Sequence, residues 1–171
     1  NSTLEQSLRA VEMMRLGLSR CATIRIPGGW DSHGDNSVQG EQFEDFFDAL
    51  DQLMDHMSTT PGLAAPWLID EVVVVCLSEF GRTPLLNGSG GKDHWPYNSA
   101  LVVGSGVRGN RMIGSTDDGL IAKPIDMTTG LANDNGDMIG PENLGCALME
   151  LGGVDPQNHM PGIQTLSALL A

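Results

Sequence analysis

The chain has 171 residues, 40% hydrophobic and 18% charged, long enough for a real core and too apolar for a disordered segment. Acids outnumber bases 22 to 9, a formal charge of −13, and Lys and Arg cluster nowhere, so no nucleic-acid partner is expected. No apolar run approaches the roughly 20 residues that cross a bilayer, so no membrane partner is expected.

In chain order, "NSTLEQSLRAVEMM" reads as a helix with Ser2 or Thr3 as N-cap and Leu4, Leu8, Val11 and Arg15 along one face. "CATIRI" (residues 21–26) reads as a strand stopping at Pro27, and residues 28–40 as a loop rich in Gly, Asp, Ser and Asn. From Glu41 the period changes. Phe43, Phe46, Phe47, Leu50, Leu53, Met54 and Met57 recur at helical spacing, and Glu41, Glu44 and Asp45 suit the positive end of the helix dipole. "TTPGLAAPW" then connects to "VVVVCL" (residues 72–77), whose β-branched run predicts a strand buried on both faces. The long loop "SEFGRTPLLNGSGGKDHWPYN" leads to a further strand, "SALVVG" (residues 99–104).

Strand, loop, helix and strand in this order predict a βαβ unit. The expected fold is a single α/β domain over residues 1–171, with a mostly parallel sheet flanked by helices. Beyond it, residues 106–120 read as a hairpin or surface excursion. "PENLGCALMELGG" (residues 141–153) reads as a helix with Pro141 near its start and glycines at its end. "IQTLSALLA" is a last short helix or strand. Cys21, Cys76 and Cys146 lack C-x-x-C spacing, which predicts buried small hydrophobes rather than a disulfide framework.

Two stretches share a theme: "GGWDSHGDN" (residues 28–36) and "GGKDHWP" (residues 90–96) each combine a glycine pair with an acid, an imidazole and a tryptophan. Ligands of open parallel sheets bind beyond the carboxyl ends of the strands. If the strands at 21–26 and 72–77 run parallel, Asp31, His33, Glu79, Arg82, Asp93 and His94 all emerge at one sheet edge. Carboxylates with imidazoles suit a divalent ion such as zinc, manganese, iron or calcium, and the lack of cysteine argues against a closed thiolate site. The metal candidates are therefore Asp31, His33, Glu79, Asp93 and His94, with Trp30 and Trp95 as apolar walls. Arg82 either pairs with Glu79 or binds an anion. Blander alternatives stay open: Asp31 as a turn residue, His33 as a solvated loop histidine. His56 sits where a cation suits a helix C-terminus, His159 lies in a loop, and the glycine of "NDNGDMIGPE" is misplaced for a calcium loop.

The combination of "GGWDSHGDN", "VVVVCLSEFGRTP", "GGKDHWP" and "SALVVGSGVRG" resembles the DUF1501 family, part of the alkaline phosphatase and sulfatase superfamily, from about residue 20 to "LGGVDP". The resemblance implies an alkaline phosphatase-like fold, present here as an incomplete copy matching the C-terminal half of a family member. It implies two divalent metals, one held by Asp31, His33 and His94 and the other by Glu79, with Asp93 a candidate for either. It further implies a small anionic ester substrate, phosphate or sulfate, touched by Arg82 as a catalytic residue, and a periplasmic or extracellular location. Three departures stand out: Ser78-Glu79 replaces an Asp-His pair, the D-x-H spacing is short, and the superfamily's nucleophile belongs to an upstream half. Two expectations follow: a metal-dependent ester hydrolase in the intact protein, or a secreted binding or structural module that keeps the fold and one metal without the chemistry.

Overall fold

The computed structural model describes residues 2–171. The chain forms two compact units. The first comprises the residues up to Val72 together with Phe80–Pro96, and the second Val73–Glu79 with Tyr97–Ala171. Helices α1 (Thr3–Arg15) and α2 (Gln39–Thr59) belong to the first unit and α3 (Pro141–Leu151) to the second. Of the four short strands among the described residues, β1 (Val73–Cys76) and β4 (Leu101–Gly104) lie in the second unit, β2 (Gly81–Arg82) and β3 (His94–Trp95) in the first.

In the first unit, Ser2 and Glu5 cap α1 reciprocally. The serine hydroxyl accepts from the Glu5 N–H at 3.2 Å, and the glutamate carboxylate accepts from the Ser2 N–H at 3.3 Å. The apolar stripes pack α1 on α2 and bury Val11, Ala49, Leu53 and Met57, and a single 3-10 turn, Leu68–Asp70, adds Leu68. Phe43 and Phe47, in the first part of the α2 stripe, stay about half exposed, and the Trp30 ring meets Phe43 edge-on at 5.1 Å.

Glu71 closes the connector: its carboxylate accepts from the backbone N–H groups of Leu63, Ala64 and Ala65. Those bonds, from Ala65 above all, hold its carboxyl below the usual glutamate range. A lowered folded-state pKa contributes stability above the unfolded value and loses it as pH falls through the folded value. The protection of the residue 63–65 amides, taken against their intrinsic exchange rates at each pH, should therefore fall on acidification below the ordinary glutamate range. Glu71→Gln should remove that dependence, and an unchanged acid profile in the variant would refute the assignment.

The second unit packs Ile125, Met127, Ala147, Leu166, Ala168 and Leu169 into one core, with Val102 from β4 and Leu144 and Leu151 from α3 against it. Within it β1 and β4 pair antiparallel, Val73 opposite Gly104 and Cys76 opposite Leu101. The chain end forms a 3-10 turn, Ser167–Leu169, followed by an antiparallel bridge between Leu170 and Val107.

The mostly parallel, alkaline phosphatase-like α/β sheet expected from the sequence is not what forms. Among the described residues the named strands make two two-stranded sheets, β1–β4 and β2–β3, both antiparallel. Residues 21–26 form no strand and leave Cys21, Ala22, Thr23 and Arg25 exposed. The βαβ unit thus lacks its first strand, and β1, half-buried rather than enclosed, takes its neighbour from the returning chain. Of the three cysteines expected inside, Cys146 is buried, Cys76 intermediate and Cys21 exposed.

Candidate functional site

In the first unit, β2 and β3 set Arg82 directly opposite His94, and cross-strand partners project on the same side of a ladder. The loop carrying Asp31 and His33 lies against the connection between these strands. The Lys92 N–H donates to the Ser32 carbonyl at 2.9 Å, and the Asn36 N–H to the Gly90 carbonyl at 3.2 Å. Asn87 fastens both loops: its Nδ2 donates to the His33 carbonyl and to Asp93 Oδ1, each at 2.9 Å. Its Oδ1 accepts from the N–H groups of Ser89 and Gly91 at 2.9 and 3.1 Å.

Gly91 is where the loops come closest. A Cβ there would lie 2.2 Å from the carbonyl oxygens of both Ser32 and His33, so only glycine fits. Ser32 is 1% exposed, and its hydroxyl accepts from Gln39 Nε2 at 3.2 Å, tying the loop to the first residue of α2.

On this frame Asp31, His33, Arg82 and His94 gather. Asp31 Oδ1 accepts from Arg82 Nη2 at 3.0 Å and from His33 Nδ1–H. That tautomer leaves His33 Nε2 as the ring's acceptor, 3.4 Å from Arg82 Nη1. Nη1 also donates to the Lys92 carbonyl at 3.0 Å, and the guanidinium carbon lies 5.4 Å from the centre of the Phe80 ring. Phe80 stacks on His94 at 3.8 Å, and the His94 and His33 rings stand 4.7 Å apart. The Arg82 side chain is 16% exposed and that of Asp31 76%, so the cation is inside and the carboxylate faces water. The His33 bond, reinforced by Arg82, holds the Asp31 carboxyl below the usual carboxylate range.

Asp93 is exposed beside the cluster with its carboxylate on Asn87. Glu79 is exposed and belongs to the second unit, and the ion pair of Arg82 is with Asp31. Trp30 packs on Phe43, and its Nε1 donates to the Pro27 carbonyl at 3.1 Å. Sequence reasoning singled out the glycine pair that holds Gly91 but passed over Ser32, Phe80 and Asn87, although Asn87-Gly88 marks a turn.

In kind, two imidazoles and a carboxylate are a donor set for zinc, manganese or iron. Two imidazoles on one tetrahedral ion at ordinary bond lengths have ring centres about 5 Å apart, close to the 4.7 Å between His33 and His94. Among the described residues, however, no three His, Cys, Asp or Glu side chains are drawn into a coordination shell. The charge beside Asp31 and His33 is that of Arg82.

The first unit therefore presents a loop-borne centre of carboxylate, imidazole and guanidinium, open to water on the carboxylate side. The chain belongs to the family described as "Protein of unknown function (DUF1501)", whose model matches residues 2–135, a span holding the whole cluster. No curated protein and no solved structure matches the chain.

Proposed function

We propose that this chain supplies a metal-assisted centre for hydrolysis of small anionic esters, phosphate or sulfate. The observation that carries the reading is the gathering of Asp31 and His33 with Arg82 and His94, which lie 49 or more residues further along the chain. Asp31, His33 and His94 would hold one divalent ion, and the Arg82 guanidinium would donate N–H bonds to the anionic oxygens of the ester. A bound ion at such a site polarises the ester oxygen and offsets developing charge. Phe80 keeps the His94 ring in plane by stacking, and Asn87 holds the His33 backbone, so both imidazoles are oriented before anything binds.

Elemental mass spectrometry after exposure to zinc, manganese, iron or calcium and desalting tests the reading. Wild type should retain a stoichiometric ion, and Asp31→Ala and His94→Ala should each lose it. Hydrolysis of an aryl phosphate or aryl sulfate should follow the ion. No retained ion, or an ion indifferent to both substitutions, would sink the proposal. A retained ion without turnover would instead favour a binding module that keeps the metal and not the chemistry.

A further inference from the structure

We infer that α2 carries a docking surface for a basic amphipathic helix of another protein, on the side that the core leaves open. The inference needs no bound ion and stands apart from the ester chemistry proposed above.

Phe43, Phe47, Leu50 and Met54 recur along α2 at steps of four, three and four, which sets them in one row about 60° wide. Ala49, Leu53 and Met57, on the neighbouring side, are the residues buried in the core. Phe43 and Phe47 are 46% and 52% exposed, and Leu50 and Met54 are half-buried. The Phe43 and Phe47 rings lie 6.3 Å apart and 23° from parallel, and Trp30 extends the row beyond Phe43.

Each member of the row is followed by an acid. Glu44, Asp48, Asp51 and Asp55 form a second row beside the first, on the side away from the core. All are exposed, and none is in an ion pair among the described residues. α2 holds no Lys or Arg, so the pairs Glu44–Asp48 and Asp51–Asp55, one turn apart, repel without compensation. A cationic partner removes that repulsion while it covers the rings, and this complementarity fixes the kind of partner. A second copy brings the same acids and no Lys or Arg on its own α2. Anionic lipid and nucleic acid repel the acid row. A helix is the matching shape, because anchors at helical spacing lie along an apolar row of this kind. From Phe43 to Met54 the row runs roughly 16 Å, about three turns.

The probe is a helical peptide of about four turns with leucines at i, i+4, i+7 and i+11 and lysines in the row beside them. Its twin carries glutamates in place of the lysines. Both are titrated into the full chain and followed by calorimetry and by amide NMR shifts. The lysine peptide should bind at least about tenfold more tightly than its twin, lose affinity with added salt and shift the α2 amides. Phe47→Ala should weaken it by about tenfold. Asp48→Lys with Asp51→Lys should reverse the preference between the peptides. Asp118→Lys with Asp134→Lys, the same charge change at exposed positions of the second unit, should not. Equal binding of both peptides, shifts confined to residues outside α2, or a preference that the α2 reversal leaves unchanged would overturn the inference. Self-association of the wild type in sedimentation that Phe47→Ala abolishes would also overturn it, since a second copy would then be the occupant. So would α2-dependent binding to phosphatidylserine vesicles. Should Phe47→Ala fail to fold, the charge reversal, made at exposed positions, decides by itself.

Discussion

Gly91→Ala is expected to unseat the loop of Asp31 and His33, and with it any ion that the proposed site retains. The added methyl would lie 2.2 Å from two backbone carbonyl oxygens, those of Ser32 and His33. Neither belongs to a side chain that can swing aside, so the loops must separate. Overpacking of this kind costs about 1–3 kcal/mol, and separation also removes the Lys92 N–H bond to Ser32, worth about another 1 kcal/mol. For a chain of this size each kcal/mol lowers the melting temperature by roughly 2–4 °C. Gly88→Ala is the control, because a Cβ there meets nothing within 4 Å. Differential scanning calorimetry and zinc retention should both separate the two variants. Equal behaviour would mean that the close approach does not hold the site.

Asn87→Asp is expected to be almost as damaging, though it changes a single group and almost no volume. The amide nitrogen donates to the His33 carbonyl and to Asp93 Oδ1. Replacing it by oxygen sets an acceptor against an acceptor at the first contact and a carboxylate against a carboxylate at the second. A partner left facing no donor costs about 1–3 kcal/mol, and the like charges push the loops apart. Thermal unfolding should show the loss at neutral pH, and zinc affinity should fall with it. Because part of the penalty is charge repulsion, acidification that protonates the new carboxyl should return some stability. A variant as stable as wild type at neutral pH would show that Asn87 is not the tie between these loops.

The helices were legible because their signals are local. The Ser2–Glu5 cap and the apolar stripe of α2 are each complete within a few turns, and α3 begins at Pro141 as its sequence suggests. The sheet was not legible, because a strand needs a partner that the strand itself does not name. "CATIRI" has strand-like composition but no partner among the described strands, and the run at β1 pairs antiparallel with β4 instead of entering a parallel sheet. For the site, residue chemistry pointed at Asp31, His33, Glu79, Arg82, Asp93 and His94; the structure brings Asp31, His33, Arg82 and His94 together, with Asp93 held on Asn87 and Glu79 in the second unit. The expected reason, two parallel strands ending at one edge, is replaced by Gly91, Ser32 and Asn87 acting through backbone carbonyls. Such contacts depend on how two loops lie against each other over long chain separations, and no short window of sequence contains them.

The clasp formed by Asn87 also gives the molecule a shelf life. Asn87 is followed by Gly88, which has no side chain to shield its backbone nitrogen. In that setting the nitrogen attacks the asparagine amide, ammonia leaves, and water opens the resulting ring to an acid, one reason heat-adapted proteins avoid labile asparagines. The product carries the same charge that Asn87→Asp introduces, at the point where the two loops are joined. The hydrogen bonds that hold the carboxamide slow this reaction while the loops stay together. Each opening of the site therefore exposes the bond that ages it, and old protein should lose the packing of these two loops before it loses its helices.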